Sequence, residues 1–327
     1  MSIRWWALGV LAVTSASAAA ARSAVLLVLN KASNELAIVD PVSHQVLGRV
    51  PTGLSPHEVT ASADGRLAFV SNYGTGEAPG NSISVIQIEP PKEVRRFLLD
   101  PMSRPHGIWF AGGRVYFTAE ANKLIGSYDP AASRVNWLLG TGQNSTHMVL
   151  VSPDGNRIFT ANIGSDSITE FERTGGPMAW NGTVIPVGKG PEGMDLSPDG
   201  RELWTAHSGD GGVSIIDAAA KRVVQTLRIG TKRSNRLKFS PDGRLVLVSD
   251  MGGGELVVLD ARARKEVKRL SLGRSPEGIL MPPGESRAYV AVAGENHVAI
   301  LDLKTLTVAG QIETGSGPDG LAWAQRK

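Results

Sequence analysis

The chain has 327 residues, a formal net charge of +3 at pH 7 and no cysteine. Within this sequence, the lack of cysteine excludes disulfides, thiolate metal ligands, attachment of a c-type haem and a lipoprotein anchor. The net charge is small and the charged residues are dispersed, so composition does not favour nucleic-acid binding.

The first 21 residues have the pattern of a secretory signal peptide. Arg4 precedes the apolar run Trp5–Val13, and small residues follow from Thr14 to Ala21. An apolar run this short favours cleavage over an uncleaved membrane anchor. We predict a signal peptide over residues 1–21 and one exported domain over residues 22–327. The mature protein would be periplasmic or secreted, with no membrane span.

The rest of the chain repeats one unit. Its clearest copy, from Gly190 to Ile229, holds four short runs rich in Val, Ile, Leu and Trp, separated by turns such as Ser197–Gly200. Proline presets φ for such a turn, and glycine accepts a positive φ. Four strands joined by short turns form an antiparallel meander, which must bury both faces against neighbouring units.

Seven copies follow one another at intervals of 49, 41, 45, 43, 42 and 42 residues, about the length of a four-stranded propeller blade. The seventh copy supplies only Gly320–Trp323 near the C-terminus. Its other strands are predicted at Val25–Leu29, Glu35–Val39 and Val46–Val50. Pairing the termini would close the ring and remove exposed edges. We predict an all-β fold, a seven-bladed β-propeller of four-stranded antiparallel blades, the last blade combining N- and C-terminal strands.

Each repeat combines a Ser-Pro-Asp-Gly type of turn, as at Ser152, Ser197 and Ser240, with a strand such as Phe159–Asn162. Over residues 25–324 this pattern resembles the YVTN (YncE-like) seven-bladed β-propeller family. The resemblance implies the fold but no single activity, because the family includes binding proteins, surface-layer repeats and domains of redox complexes.

The second blade carries a narrower pattern in Gly107-Ile108 and Tyr116–Gly126. It is locally similar to virginiamycin B lyase-like propellers. Those propellers usually have Trp where Tyr116 stands, and no other blade matches, so the similarity does not carry lyase activity to this chain.

Two positions of each repeat predict concentric rings of side chains at one face, the mouth of the central channel. The family resemblance implies this placement, because the innermost strand begins there and the loop after the second strand reaches the same face. The inner ring consists of His57, His106, His147, Glu192, Asn235, Glu277 and Asp319. The outer ring consists of Asn30, Asn72, Glu120, Asn162, His207, Asp250 and Val292.

Histidines and carboxylates in these rings suggest a divalent transition metal, since imidazole with carboxylate suits Zn, Cu, Fe or Ni. The candidate ligands are His57, His106, His147, Glu120, Glu192 and His207. The alternative is a water-filled polar mouth. The remaining polar ring residues are candidates for ligand binding, namely Asn30, Asn72, Asn162, Asn235, Asp250, Glu277 and Asp319.

A basic cluster in the fifth blade comprises Lys232, Arg233, Arg236 and Lys238. Such a run favours a solvated face, and a site for phosphate or an acidic ligand is the alternative. No G-x-S-x-G, H-E-x-x-H or calcium-loop pattern occurs in the sequence.

Three functions remain open. The favoured one is an exported propeller that binds a small molecule or a periplasmic partner protein at its mouth. The second is a metal-assisted lyase or lactone hydrolase that uses the ring His and Glu residues. The third, suggested by the family resemblance, is an accessory subunit of a periplasmic quinoprotein- or dehydrogenase-like redox system. A monomer is expected, and nucleic acid is not an expected partner.

Overall fold

The computed structural model describes residues 24–176 and 179–325, which form seven four-stranded antiparallel sheets. The strands form where β-branched, aromatic and other apolar residues can be buried on both faces of a sheet. The predicted seven-bladed β-propeller is confirmed. The predicted signal peptide, residues 1–21, lies outside the described residues.

The first six blades follow one another along the chain, and each runs from its innermost to its outermost strand. The first blade has β4 (Pro56–Ala61), β5 (Leu67–Gly74), β6 (Pro79–Gln87) and β7 (Lys92–Leu98). The second has β8 (Pro105–Ala111), β9 (Arg114–Ala119), β10 (Leu124–Asp129) and β11 (Arg134–Gly140). The third has β12 (Thr146–Val151), β13 (Arg157–Asn162), β14 (Ser167–Arg173) and β15 (Trp180–Pro186).

The later blades have the same order. The fourth has β16 (Pro191–Leu196), β17 (Glu202–His207), β18 (Gly212–Asp217) and β19 (Arg222–Arg228). The fifth has β20 (Ser234–Phe239), β21 (Leu245–Asp250), β22 (Glu255–Asp260) and β23 (Lys265–Ser271). The sixth has β24 (Pro276–Leu280), β25 (Arg287–Val292), β26 (His297–Asp302) and β27 (Thr307–Glu313). Single 3₁₀ turns cover Glu120–Asn122, Ile163–Ser165 and Ala293–Glu295.

The seventh blade closes the ring with strands from both ends of the described chain. It has β28 (Pro318–Gln325), β1 (Ala24–Asn30), β2 (Glu35–Val39) and β3 (Val46–Pro51). Strand β28 pairs with β1, as predicted, and Leu26 lies opposite Trp323. It also packs against β24 on one side and β4 on the other. No helix in the described part of the chain is long and apolar enough to cross a membrane.

The core lies between neighbouring blades. Leu27, Leu29 and Ile38 of the closing blade, for example, pack against Val70 and Ile86 of the first blade. Near the axis, four innermost strands carry a glycine directly after the inner-ring position. A Cβ at Gly107, Gly193, Gly278 or Gly320 would meet the backbone of the next innermost strand at under 3.0 Å. These glycines let the strands approach closely and narrow the channel below the mouth.

Candidate functional site

The two predicted rings lie at the same face. In most blades the residue before the inner-ring position pairs with the outer-ring residue, as Pro56 does with Asn72 and Pro191 with His207. In the second blade Pro105 pairs with Ala119, so Glu120 lies one residue beyond the pair. The two sets of positions therefore lie at the same end of the blades.

The outer-ring amides and Asp250 anchor loops, which is not the ligand-binding role predicted for them. Asn72 accepts the Gly53 N–H at 2.9 Å and donates to Ser82 and Ser84 at 3.1 and 3.0 Å. Asp250 accepts the N–H groups of Lys232, Arg233 and Gly253. Asn30 and Asn162 make equivalent bonds within their own blades or to a neighbouring loop. Their buried polar atoms are therefore used in holding the mouth loops.

His207 also has a local partner. Its ring is fully buried and hydrogen-bonds through Nδ1 to Asp210 at 2.9 Å. Burial lowers the pKa of His207, although Asp210 opposes the shift, so the imidazole is neutral near pH 7. No contact links His207 to the inner-ring histidines among the described interactions.

The other three predicted histidine ligands form a row. The ring centroids of His57 and His106 are 4.9 Å apart, and those of His106 and His147 are 3.5 Å apart in a stacked arrangement. Tyr73, near the end of β5, borders the row 4.5 Å from His57. Burial lowers the pKa of His57 to about 4 and that of His106 well below its usual value. Both rings are therefore neutral at pH 7.

His147 is oriented by Glu120. Its Nδ1 lies 3.3 Å from Oε2 of Glu120. Burial opposes ionisation of Glu120, but hydrogen bonds from His147, Tyr73 and Ser145 outweigh it and lower the pKa of the carboxyl. Because the ionised carboxylate can only accept, Nδ1 of His147 is the donor. In the neutral form of this ring, Nε2 is the nitrogen that carries the lone pair.

The predicted metal ligands do not form a coordination set in this arrangement. A metal needs ring nitrogens about 2.0–2.1 Å from one shared ion, and each nitrogen lone pair lies in the plane of its ring. The planes of His106 and His147 are only 30° apart in the stack, so their lone pairs do not converge. Among residues 24–176 and 179–325, no group of three or more His, Asp or Glu side chains is placed to hold a metal ion.

Glu277 and Asp319, from the sixth and closing blades, form a carboxyl pair in the inner ring. Lys31 Nζ donates to both, at 2.8 Å to Glu277 and 2.9 Å to Asp319. Burial, helped by the Asp319 charge, raises the pKa of Glu277 to about 8. Burial also opposes ionisation of Asp319, but Lys31, Arg236 and His57 outweigh it and hold the pKa of Asp319 far below its usual range. Of the two carboxyls, Asp319 is therefore the one that ionises more readily.

This pair predicts a pH dependence of stability. The pKa of Glu277 in the folded protein, about 8, exceeds the 4.5 of an ordinary glutamate. The contribution of Glu277 to the free energy of unfolding is therefore fully present below pH 4.5 and is lost as the pH rises through 8. The Glu277→Gln variant keeps a neutral side chain and should avoid this loss. The free energy of unfolding of this variant, relative to that of the parent, should rise between pH 6.5 and pH 8.5 by at most about 1.4 kcal/mol per pH unit.

Urea denaturation at pH 6.5, 7.5 and 8.5 measures this difference. The exposed Glu313→Gln substitution is the matched control and should shift stability equally at each pH. A Glu277→Gln difference that stays constant over this range would show that Glu277 is already ionised at pH 6.5.

The basic cluster of the fifth blade is not a solvated face throughout, so that expectation was wrong for Arg236. Arg236 is 6% exposed and reaches across the channel from β20 to Glu58 on β4. Its Nε donates to Oε1 of Glu58 at 3.1 Å, its Nη2 also donates to that oxygen, and its Nη1 lies 3.5 Å from Glu192. Because β4 and β20 belong to the first and fifth blades, the pair bridges the channel beneath the inner ring.

Several polar atoms at the mouth are buried without a hydrogen-bond partner in the protein. Ten such side-chain atoms occur among the described residues, and five of them belong to the inner ring or Arg236. These five are His106 Nδ1, His147 Nε2, Asn235 Oδ1, Arg236 Nη1 and Asp319 Oδ1. Leaving a buried polar group unpaired costs about 1–3 kcal/mol, so these five atoms are places where ordered water or a ligand would bind.

The sequence register did not single out four residues of this network, Lys31, Glu58, Tyr73 and Arg236. A usable signal existed for Glu58 and Arg236. The position after the inner ring is glycine in four blades and charged in these two. In those four blades the glycine lets neighbouring backbones approach closely. A charged side chain at the same position therefore indicates an interaction within the channel.

A family model, the cytochrome D1 heme domain, matches residues 192–292. The match covers less than half of the chain. No curated protein matches.

The residues of the matched segment do not fit a haem. Its only histidine is His207, which has no solvent-exposed area and is bonded to Asp210. At the mouth, Lys31 bridges Glu277 and Asp319, and Arg236 crosses to Glu58, so side chains fill the axis where a macrocycle would lie.

Solved structures of similar fold include hydrazine synthase from Kuenenia stuttgartiensis, at 21% identity and a TM-score of 0.69, covering 82% of this chain and 89% of that one. A periplasmic gluconolactonase from Pseudomonas aeruginosa has 19% identity and a TM-score of 0.75, covering 93% and 100%. A putative 6-phosphogluconolactonase from Bacteroides fragilis has 15% identity and a TM-score of 0.74, covering 92% and 98%. At these identities the likeness establishes the propeller fold.

Proposed function

We propose that this protein is an exported β-propeller that binds a small, neutral, polyhydroxylated ligand of sugar size at its mouth. The cluster of five buried, unpartnered polar atoms carries the proposal. They come from four different blades and lie at consecutive positions of the innermost strands, where one small molecule can meet several of them.

The chemistry of the cluster favours hydroxyl groups. Asn235 Oδ1 and Asp319 Oδ1 can only accept, whereas Arg236 Nη1 can only donate. A hydroxyl donates and accepts at once, so a polyol serves both kinds of partner.

The charges at the mouth favour a neutral ligand over an anion. The acidic side chains there are Glu58, Glu120, Glu192, Glu277 and Asp319, and the cations opposite them are Lys31 and Arg236. Carboxylates outnumber cations, so an anionic ligand would be repelled. A sugar lactone is neutral, whereas the acid formed from it is not.

Calorimetric titration with D-galactono-1,4-lactone tests the proposal. We expect saturable binding to the mature protein, weakened about fivefold or more in His106→Phe, which keeps the ring stack but removes Nδ1. His44→Asn, an exposed change in a turn of the closing blade, is the control and should bind like the parent. Equal affinities of His106→Phe and the parent would contradict the mouth as the site.

Lactone hydrolysis is the second candidate, favoured by the Glu120–His147 pair and by the two lactonase-named structures of similar fold. A carboxylate that holds Nδ1–H leaves Nε2 free to act as a general base. Nε2 would take a proton from water as the hydroxide forms a bond to the lactone carbonyl carbon. The bond from that carbon to the ring oxygen then breaks, and the ring oxygen leaves as an alcohol carrying the proton.

Lactone loss followed by NMR at pH 6.5 separates the two candidates. A lactone hydrolase should lose at least a hundredfold in kcat in His147→Gln while that variant still binds the lactone. A binding protein should bind the lactone and leave it intact.

Export is supported by the N-terminal pattern of Arg4, Trp5–Val13 and the small-residue tract. We expect protein recovered from a bacterial periplasm to begin near residues 20–22, and intact-mass spectrometry measures this. Exported protein that retains residues 1–20 would contradict the predicted cleavage.

The redox-accessory hypothesis has weaker support. The partial cytochrome D1 match and the hydrazine synthase likeness favour it. The side chains on the axis leave no place for a cofactor of this chain's own at the mouth, so any redox group would belong to a partner protein.

A further inference from the structure

A second cavity, of about 740 Å³, lies along the axis beyond the Arg236–Glu58 bridge. All seven innermost strands contribute to its wall. It extends to Ser62 and Pro283, in turns between the first and second strands of their blades. It is therefore next to the face opposite the mouth, and its size is that of a small-molecule site.

Aromatic and thioether side chains make up much of the wall. They are Trp109, Phe110, Met148, Met194 and Trp323. Trp109 and Trp323 are only partly buried among protein atoms, so each keeps ring surface toward the cavity. Indole and phenyl faces pack well against another aromatic ring, and methionine adapts its shape to one.

The charged residues of the wall are Arg236, Lys238 and Glu58. Arg236 and Glu58 are paired with each other. Lys238 is paired with Asp195, which does not line the cavity, so Lys238 is the cation on the wall with no carboxylate partner inside the cavity.

Lys238 keeps donors for a ligand. Its Nζ lies 3.3 Å from Oδ1 of Asp195 and 5.4 Å from the centre of the Trp109 ring. The other oxygen of Asp195 accepts the Phe239 N–H at 2.9 Å. An ammonium has three donors, and Asp195 takes one of them. The ammonium thus lies beside an aromatic wall with donors to spare.

We propose that the axial cavity is a second binding site, for a small aromatic monocarboxylate. The ring of the ligand packs among Trp109, Phe110 and Trp323, and its carboxylate binds Lys238. This site differs from the mouth in face, lining and ligand charge, so it stands whether or not the mouth binds a polyol.

Calorimetric titration of the mature protein with 2-naphthoate and with uncharged 2-naphthylmethanol tests the proposal at pH 7. Lys238→Met should weaken naphthoate about tenfold and naphthylmethanol less than twofold, because only the charge contact is lost. Lys238→Gln should give the same result. Agreement between the two variants would show that the effect does not come from a folding defect in one of them. Lys268→Met, an exposed change on the outermost strand β23, should bind both compounds like the parent.

His57→Gln changes a side chain at the mouth that does not line the axial cavity. It should therefore leave the naphthoate affinity unchanged. The proposal is overturned if naphthoate shows no saturable binding up to its solubility limit. It is also overturned if both Lys238 variants weaken both compounds equally, or if His57→Gln weakens naphthoate as much as they do.

Discussion

Removing residues 315–327 is expected to leave a protein with no stable closed ring. The deletion takes away β28, the innermost strand of the closing blade, and exposes the edge of β1 to solvent. It also removes Ala322 and Ala324 from the core shared with the first blade, and Trp323 from the cluster shared with the sixth. The buried apolar surface and the backbone hydrogen bonds to β1 are lost together, a loss of several kcal/mol set against a stability of about 5–15 kcal/mol for a typical domain.

Thermal unfolding followed by circular dichroism measures this effect. We expect the melting temperature to fall by more than about 10 °C, or no folded protein to be recovered. Deleting only residues 326–327 is the control. Adding a peptide of residues 315–327 to the truncated protein should restore part of the melting temperature, because the peptide can pair with β1. A truncated protein as stable as the parent would contradict closure by β28.

Arg236→Met is expected to destabilise the protein by about 3–5 kcal/mol. The substitution leaves Glu58 and Glu192 as buried carboxylates without their cation. Burial already raises the pKa of Glu58, with Arg236 opposing the shift, so removing Arg236 should raise that pKa further. The deficit relative to the parent should therefore be smaller at pH 5 than at pH 8, since protonation removes the uncompensated charge.

Arg233→Met, an exposed change in the same basic cluster, is the matched control and should cost less than about 0.5 kcal/mol. The double variant Glu58→Gln/Arg236→Met should recover part of the loss, because neither partner is then charged. An Arg236→Met protein as stable as Arg233→Met would show that the ion pair across the channel does not stabilise the fold.

The blades could be predicted from the sequence because the information is local and is repeated. Turns such as Ser197–Gly200 recur with the same chemistry. The serine hydroxyl donates to Asp199 at 2.6 Å, and Gly200 has a φ of +71°. Closure followed from the split seventh copy, and the register of Leu26 with Trp323 agrees with it.

The contacts within the mouth could not be predicted in the same way. A repeat fixes that His57, His106 and His147 lie at one face, but stacking and the aim of each nitrogen depend on side-chain rotamers. The ion pair of Arg236 with Glu58 joins equivalent positions of the fifth and first blades, 178 residues apart, and the repeat alone does not indicate that these two side chains meet across the channel. The outer-ring amides were misassigned because a recurring polar position in a repeat can serve a loop as well as a ligand.

The most direct test of the mouth as a ligand site is NMR of the histidine side chains in protein labelled with ¹⁵N-histidine. D-galactono-1,4-lactone is added to saturation at pH 7, and the ring ¹⁵N shifts of all six histidines are compared. Binding at the mouth predicts shifts of His106 Nδ1 and His147 Nε2, with His44 and His297 unchanged. Unchanged shifts of His106 and His147 at saturation, or shifts of His44 and His297 as large as theirs, would contradict the proposed site.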